Sequence, residues 1–436
     1  MKDFDKTKRR RHLERYHPGV NRETIPFTDF DPSGQDLTWK EEVRKIQMLK
    51  TAGIAAKSDA LEKLRALYNE HGGERNTRLG KEIAVYTGIM FKAIEPNFQP
   101  FTRLDLGSIM FPAYNAEAEP YTVVVCDLTQ AAEIFKLGTP AVPILISNYG
   151  ETSAVVDIGV QAMCTYIASK SSVAVQEFGV RKDPALLPES IAPSVYSGQE
   201  AMDLFRGEST LPVNLLDLEG FKSNAQPAFL ANQQNFQALR TIEGNNTAGK
   251  PAALRPADLR NSSQFQLLAK AGAWSMPHCD HHGVITTVYC DEGRKQWLTY
   301  PEMTMAETDV WADSENYSPP YPAMNITLER GSLLVIPPGR LHAPFSLSDV
   351  AMTGTMHWDT RNMIRVLLLS MLEVVRPGVT NEDPAIDFLP KIKAVAELWQ
   401  KRSGTWEWGT DAELKRFLQL IDVRSPFDQF VSRPCN

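Results

Sequence analysis

The tripeptide His278-Cys279-Asp280 constrains this chain more than any other stretch. Residues i and i+2 project from one face only where the backbone is extended. An imidazole and a carboxylate so spaced therefore reach a common ion on or beside a β-strand, with Cys279 turned away. Such a pair needs a third ligand, and His342 is the leading candidate. It closes Gly331–His342, GSLLVIPPGRLH, an apolar strand followed by a Pro-Pro-Gly turn. Two histidines and one carboxylate hold a mononuclear ion with positions left open, a set suited to iron(II). The histidine distribution agrees: of eight, five (His278, His281, His282, His342, His357) lie in this block, and none falls between His71 and His278. His281 and His282 directly follow the carboxylate and are read as supporting or surface groups, not ligands.

The surroundings read as many short strands. Phe265–Lys270, Val284–Cys290, Arg294–Pro301, Leu333–Ile336, Ala343–Leu347 and Met352–Trp358 are rich in β-branched and aromatic residues, with Glu292-Gly293 turning between two of them. That series predicts a closed antiparallel barrel, not a parallel sheet. Glu302–Asn325 is a long polar insertion within it. From residue 120 to 218 strands alternate with short helices: Tyr121–Cys126, Ala141–Ile146, Ser172–Phe178 and Leu211–Leu218 are extended, while Asp127–Phe135 and Val160–Ala168 are helical. Ser197 with Glu200 makes a capping box for a helix that Gly207 stops. Asp183–Ser194, with three prolines, and Gly244–Asp258 are loops.

Both ends read as helical. Thr38 with Glu41 caps a helix that Gly53 would stop, Ser58 opens another, and Leu79–Ala93 repeats the apolar spacing. Asn362–Val375, Ile386–Arg402 and Asp411–Ile421 follow the strands. The expected divisions are a disordered basic arm (1–37), a helical region (38–119), a barrel domain (120–375) and C-terminal helices (376–436). The fold class is α+β.

At 436 residues the chain can bury a large core. A net charge of −7 gives no basic field for nucleic acid. No apolar run is long enough to span a membrane, and Met1–Arg11 lacks a secretory core. Five scattered cysteines without a CxxC pair point to a reducing compartment, nuclear or cytoplasmic. Lys6–Arg11, KTKRRR, reads as a solvated arm or a nuclear signal.

Lys295 is the second anchor. It shares a strand face with Trp297 and Thr299, and a lysine buried on that face needs an anion; a surface lysine beside a turn fits the spacing equally. Ser275, three residues before His278, has a hydroxyl that can serve the same anion. His357 shares a face with Thr353 and Thr355, and either lines a cavity or is a core histidine bonded to a threonine.

Together, S-x-x-H-x-D-x-x-G (Ser275 to Gly283), G-x-K-x-W (Gly293 to Trp297) and G-x-L-x-x-x-P-P-G-x-x-H (Gly331 to His342) resemble the Jumonji-C family of Fe(II)/2-oxoglutarate oxygenases. The resemblance covers roughly 120 to 375. It implies a double-stranded β-helix (a jelly-roll, cupin-like barrel) with helical flanks, and iron on His278, Asp280 and His342. It further implies that Lys295 binds the distal carboxylate of 2-oxoglutarate with help from Ser275, O2 being the other co-substrate. Many members place an asparagine on the strand after the HxD pair. Here those positions read Thr286-Thr287-Val288, so that contact is either made by a threonine, with Thr287 the candidate, or absent, and His357 is a second candidate contact. No catalytic side chain is expected beyond the ligands.

The implied activity is hydroxylation or N-demethylation of a protein substrate, a basic one if the acidic insertion overhangs the cavity. The C-terminal helices are the expected face for pairing with a second copy. Two other classes stand beside this: an inactive barrel of the same fold serving as a scaffold in chromatin or transcription, and a cupin-type metalloenzyme without 2-oxoglutarate, against which Lys295 argues.

Overall fold

A computed structural model describes residues 32–71, 78–101, 120–153, 158–178, 194–207, 211–218, 226–242, 259, 263–312, 318–380, 385, 388–405 and 407–422. The basic cluster and the two predicted loops at 183–194 and 244–258 lie outside these residues, apart from Ser194. The described residues up to Gln47 and those from Met48 onward belong to separate units.

The fold is α+β, built on a large mixed sheet. Ten strands run in the order β1 (Asn97–Pro100), β2 (Thr122–Val125), β3 (Ile144–Ile146), β11 (Leu333–Ile336), β8 (Ile285–Glu292), β13 (Val350–His357), β7 (Gln264–Ala269), β6 (Val213–Leu218), β4 (Val173–Glu177) and β5 (Ser194–Tyr196). β1, β2 and β3 pair in parallel; the other neighbours are antiparallel. A second sheet has the order β10 (Met324–Glu329), β9 (Arg294–Thr299), β12 (His342–Ser346), all antiparallel. The β8–β9 turn links the two sheets. Gly293 sits there at φ 94, and a Cβ would stand 2.2 Å from the Asp349 carbonyl, so only glycine fits.

Alternation gives each strand of the second sheet two different faces. Gln296 and Leu298 of β9 and Phe345 of β12 point outward. Tyr86 of helix α2 (Arg78–Lys92) packs on that side, 5.9 Å from the Phe345 ring, and donates its hydroxyl to the Ala343 carbonyl at 2.7 Å. Lys295, Trp297 and Thr299 pair with Ser346, Pro344 and His342 across β12, so these six share the inner face.

The outer side of β3, β11 and β8 is closed by helix α3 (Leu128–Leu137), through Phe135, Phe229, Ile285, Tyr289 and Val335. Helices α4 (Val160–Ala168) and α5 (Gly198–Arg206) cover β4, β6 and β7. The capping box of Ser197 with Glu200 forms as its spacing predicts, and Gly207 ends α5.

Three expectations change. The N-terminal helix α1 is continuous from Pro32 to His71, so Thr38, Gly53 and Ser58 lie within it. Gly53 is not a stop. A Cβ there would collide with the Glu95 carboxylate, and Asn325 Nδ2 donates to the Gly53 carbonyl at 2.7 Å and to Glu95 Oε1 at 2.7 Å. Close approach explains the glycine. Strand β10 falls partly inside the predicted insertion, which also contains helix α6 (Met305–Ala312). Helices α7 (Met363–Val375), α8 (Phe388–Lys401) and α9 (Asp411–Asp422) follow the strands.

Candidate metal centre

His278 does not sit in a regular strand. It forms a single antiparallel bridge with His342, their backbones exchanging hydrogen bonds of 3.0 and 2.9 Å. The chain before it lies along β12 as an irregular edge: Gly272 N donates to Ser346 O at 2.8 Å and Ser275 N to Pro344 O at 3.0 Å. The two histidines, 64 positions apart, are thus set opposite each other, with ring centroids 4.4 Å apart. Asp280 keeps an extended backbone (φ −65, ψ 143), which turns Cys279 away. The Cys279 thiol is buried and faces the Gly339 carbonyl at 3.4 Å.

Ligand atoms of His278, Asp280 and His342 all lie within 4.8 Å of one another. His342 Nε2 is 3.5 Å from Asp280 Oδ1. His278 Nδ1 faces the Met276 carbonyl at 2.7 Å, and His342 Nδ1 faces the Arg340 carbonyl at 3.1 Å. A ring nitrogen facing a carbonyl carries the proton, so both Nε2 atoms offer a lone pair to the shared space. Thr286 Oγ1 donates to Asp280 Oδ2, leaving Oδ1 beside His342. Buried Arg340 holds the Pro-Pro-Gly turn by donating to the Tyr300 carbonyl at 3.0 Å and to that of Ala141. This donor set fits one octahedral divalent ion with open positions.

Lys295 is 3% exposed, on the same inner face as His342. Among the described residues its ammonium has no hydrogen-bond or ion-pair partner. Burial pushes its pKa down from 10.5 to about 8, and the nearby Cys290 thiol opposes that shift. Ser346, directly across the strand pair, has a buried hydroxyl without a partner among the described residues, as does Thr299 opposite His342. Ser275 follows Trp274, whose ring packs outward against Tyr86 at 6.1 Å and Phe178 at 4.3 Å, so alternation puts Ser275 on the inner side.

Thr287 and His357 lie elsewhere. β8 presents Thr286 to Asp280, so its neighbour Thr287 faces the other way. Thr287 Oγ1 is 2.6 Å from Thr355 Oγ1, which is 2.8 Å from His357 Nε2. His357 Nδ1 lies 3.3 Å from Gln226 Nε2 and 3.4 Å from the Phe236 carbonyl. Burial, then the Arg240 charge, pushes His357 down to about 3, so it stays neutral. The structure does not bring either residue to the triad. Of the two readings open for His357, the core histidine bonded to a threonine is the one observed.

Sequence reasoning also missed the grip on the turn behind Asp280. His281 and His282 are buried, and Gly283 (φ 58) meets helix α7 so closely that a Cβ would stand 2.9 Å from Val366 Cα. The polar insertion is drawn toward the same helix: Glu302 pairs with Arg365 at 2.7 Å and Asp309 with Arg376 at 2.8 Å. Glu307 accepts from Thr304 and Tyr321. Three of its five acids are thus engaged internally. Asp313 and Glu315 lie outside the described residues.

No protein-family model matches the chain, and no curated protein sequence matches it. Among solved structures it is similar to that of YcfD, a ribosomal oxygenase from Escherichia coli in complex with cobalt and succinic acid. The identity is 14%, the TM-score 0.31, and the match covers 68% of each chain. A likeness that loose carries no weight for the chemistry. No helix among the described residues is long and apolar enough to cross a membrane.

Proposed function

We propose that this chain is a dioxygenase dependent on iron(II) and 2-oxoglutarate, with a double-stranded β-helix fold over about residues 120–375, that hydroxylates or N-demethylates a protein or peptide. The observation that carries the reading is Lys295: a buried ammonium with no hydrogen-bond or ion-pair partner among the described residues, on the inner face that also presents His342. An isolated buried charge is costly, and a built site of this kind calls for an anion from outside.

Lys295 stands four residues from Thr299, which pairs with His342, so about 13 Å of strand separates it from the metal plane. The long lysine side chain and a five-carbon dicarboxylate together bridge that gap. A dicarboxylate bound there would place one carboxylate toward the residues that would hold the metal and the other toward Lys295, on the inner face shared with Ser346. Iron(II) held by His278, Asp280 and His342 supplies, with 2-oxoglutarate and O2, oxidative decarboxylation to succinate and CO2 coupled to hydroxylation of a substrate C–H bond. The chain's own residues bind and orient. The backbone carbonyls of Met276 and Arg340 fix the histidine tautomers, Thr286 fixes the carboxylate, and Trp297, between Lys295 and Thr299 on the same strand face, packs 5.2 Å from the His342 ring. No side chain is needed as a general base.

The test is succinate formation by the purified chain given iron(II), 2-oxoglutarate, ascorbate and O2, with mass spectrometry of candidate peptides for gains of one oxygen or losses of a methyl group. Succinate that requires His278 and Asp280 is expected. A reconstituted chain that binds iron yet never forms succinate with any substrate contradicts the reading.

A further inference from the structure

His282 is the one non-glycine residue with positive φ among the described residues, at φ 52 and ψ 33. A side-chain-bearing residue holds that conformation only where its surroundings impose it. Here several groups do so. Its backbone N–H donates to Glu373 Oε2 on α7 at 2.8 Å, and its carbonyl accepts from Trp358 Nε1 at 3.0 Å. Ring Nε2 accepts from the Ala385 N–H at 3.0 Å, so Nδ1 carries the proton and lies 3.4 Å from Glu373 Oε2. The ring stacks on Phe388, the first residue of α8, at 4.3 Å and 12°.

The residue so gripped is two positions from Asp280. Were it to relax, the chain leaving Asp280 would rotate, and Gly283 would lose its fit against Val366. We propose that His282 and Glu373 are positioning residues for the metal centre, and that Ala385 together with Phe388, the first residue of α8, sets metal affinity by holding the turn behind Asp280. The inference rests on the metal-centre reading and adds to it the C-terminal helices as part of the site's support.

Cobalt(II) titration of the full-length apo chain, followed by visible absorption, tests this without any turnover. Glu373→Ala is expected to weaken cobalt binding about 10- to 100-fold, the usual loss when an outer-shell partner is removed, and to change the cobalt spectrum. Phe388→Ala should shift both in the same direction. Glu373→Gln keeps an oxygen for the His282 N–H and should recover most of the affinity. A lowered melting temperature with wild-type cobalt affinity and spectrum in Glu373→Ala and Phe388→Ala overturns the proposal, since a merely structural role predicts that result. Should Glu373→Ala not fold, unchanged cobalt binding by Phe388→Ala overturns it. If the wild-type chain takes up no cobalt, the metal-centre reading itself fails; if only the variants match wild type, only the positioning role falls.

Discussion

The outer side of β8 and β13 and the inner face of β9 and β12 bury polar side chains in opposite ways. On the outer side, Thr287, Thr355, His357 and Gln226 form a chain of polar contacts, and Asp291 takes the Thr353 hydroxyl at 2.7 Å and the Ile158 N–H at 3.0 Å. On the inner face of β9 and β12, Lys295, Ser346 and Thr299 are as deeply buried, and among the described residues their side-chain polar atoms have no hydrogen-bond partner. Buried polar groups that satisfy one another stabilise the fold; those left unsatisfied cost stability and persist where a ligand completes them. The two sets named differ in this way, while Gln266, which pairs with Thr353 on the outer side, is buried with its amide atoms unpartnered among the described residues.

The largest effect that would sharpen this contrast is on the ligands. His342→Ala should abolish iron binding and turnover together, read by metal analysis and succinate release; full iron content in that variant would break the assignment of the inner face.

Next comes pH. With a folded pKa of about 8 against 10.5, Lys295 is charged in both folded and unfolded chains below pH 8, and its burial penalty, about 3 kcal/mol, is then fully present. Between pH 8 and 10.5 the unfolded chain binds more protons, so apo stability from this group rises with pH. Dicarboxylate binding needs the ammonium, so affinity should fall as pH rises above about 8, approaching tenfold per unit. A flat affinity from pH 7 to 9.5 would show that no ammonium is engaged.

The smallest effect belongs to the outer side. His357→Gln should cost about 1–3 kcal/mol of stability by leaving buried partners unmet, and should leave dicarboxylate affinity unchanged. A large affinity loss there would erase the distinction between the faces.

Much of the candidate site's geometry was legible. The spacing in His278-Cys279-Asp280 and the Pro-Pro-Gly turn before His342 carry it, because they depend on local backbone geometry alone. Lys295 was legible once its face was identified with that of Trp297. Thr286 and Thr287 were not separable, since a slip of one residue in register exchanges the faces. Gly53 reads locally as a helix stop, and only the approach of Glu95 and Asn325 from distant segments shows otherwise. Strand β10, MNITLE, alternates as a strand should, yet the acidic run before it dominated the pattern. The grip of Glu373 and Phe388 on His282 spans about a hundred residues and leaves no periodic trace.

The central claim is that Lys295 recognises a distal carboxylate beside the metal. It is tested most directly by titrating the cobalt-loaded chain and its Lys295→Ala variant with 2-oxoglutarate and with 2-oxopentanoate, which lacks that carboxylate. Losing one partner of such a buried pair costs about 3–5 kcal/mol, or about two to three decades in affinity. The wild type should therefore prefer 2-oxoglutarate by that margin, and Lys295→Ala should bind the two compounds almost alike while keeping its cobalt. Equal binding of both compounds by the wild type, or an undiminished preference in Lys295→Ala, would contradict the account.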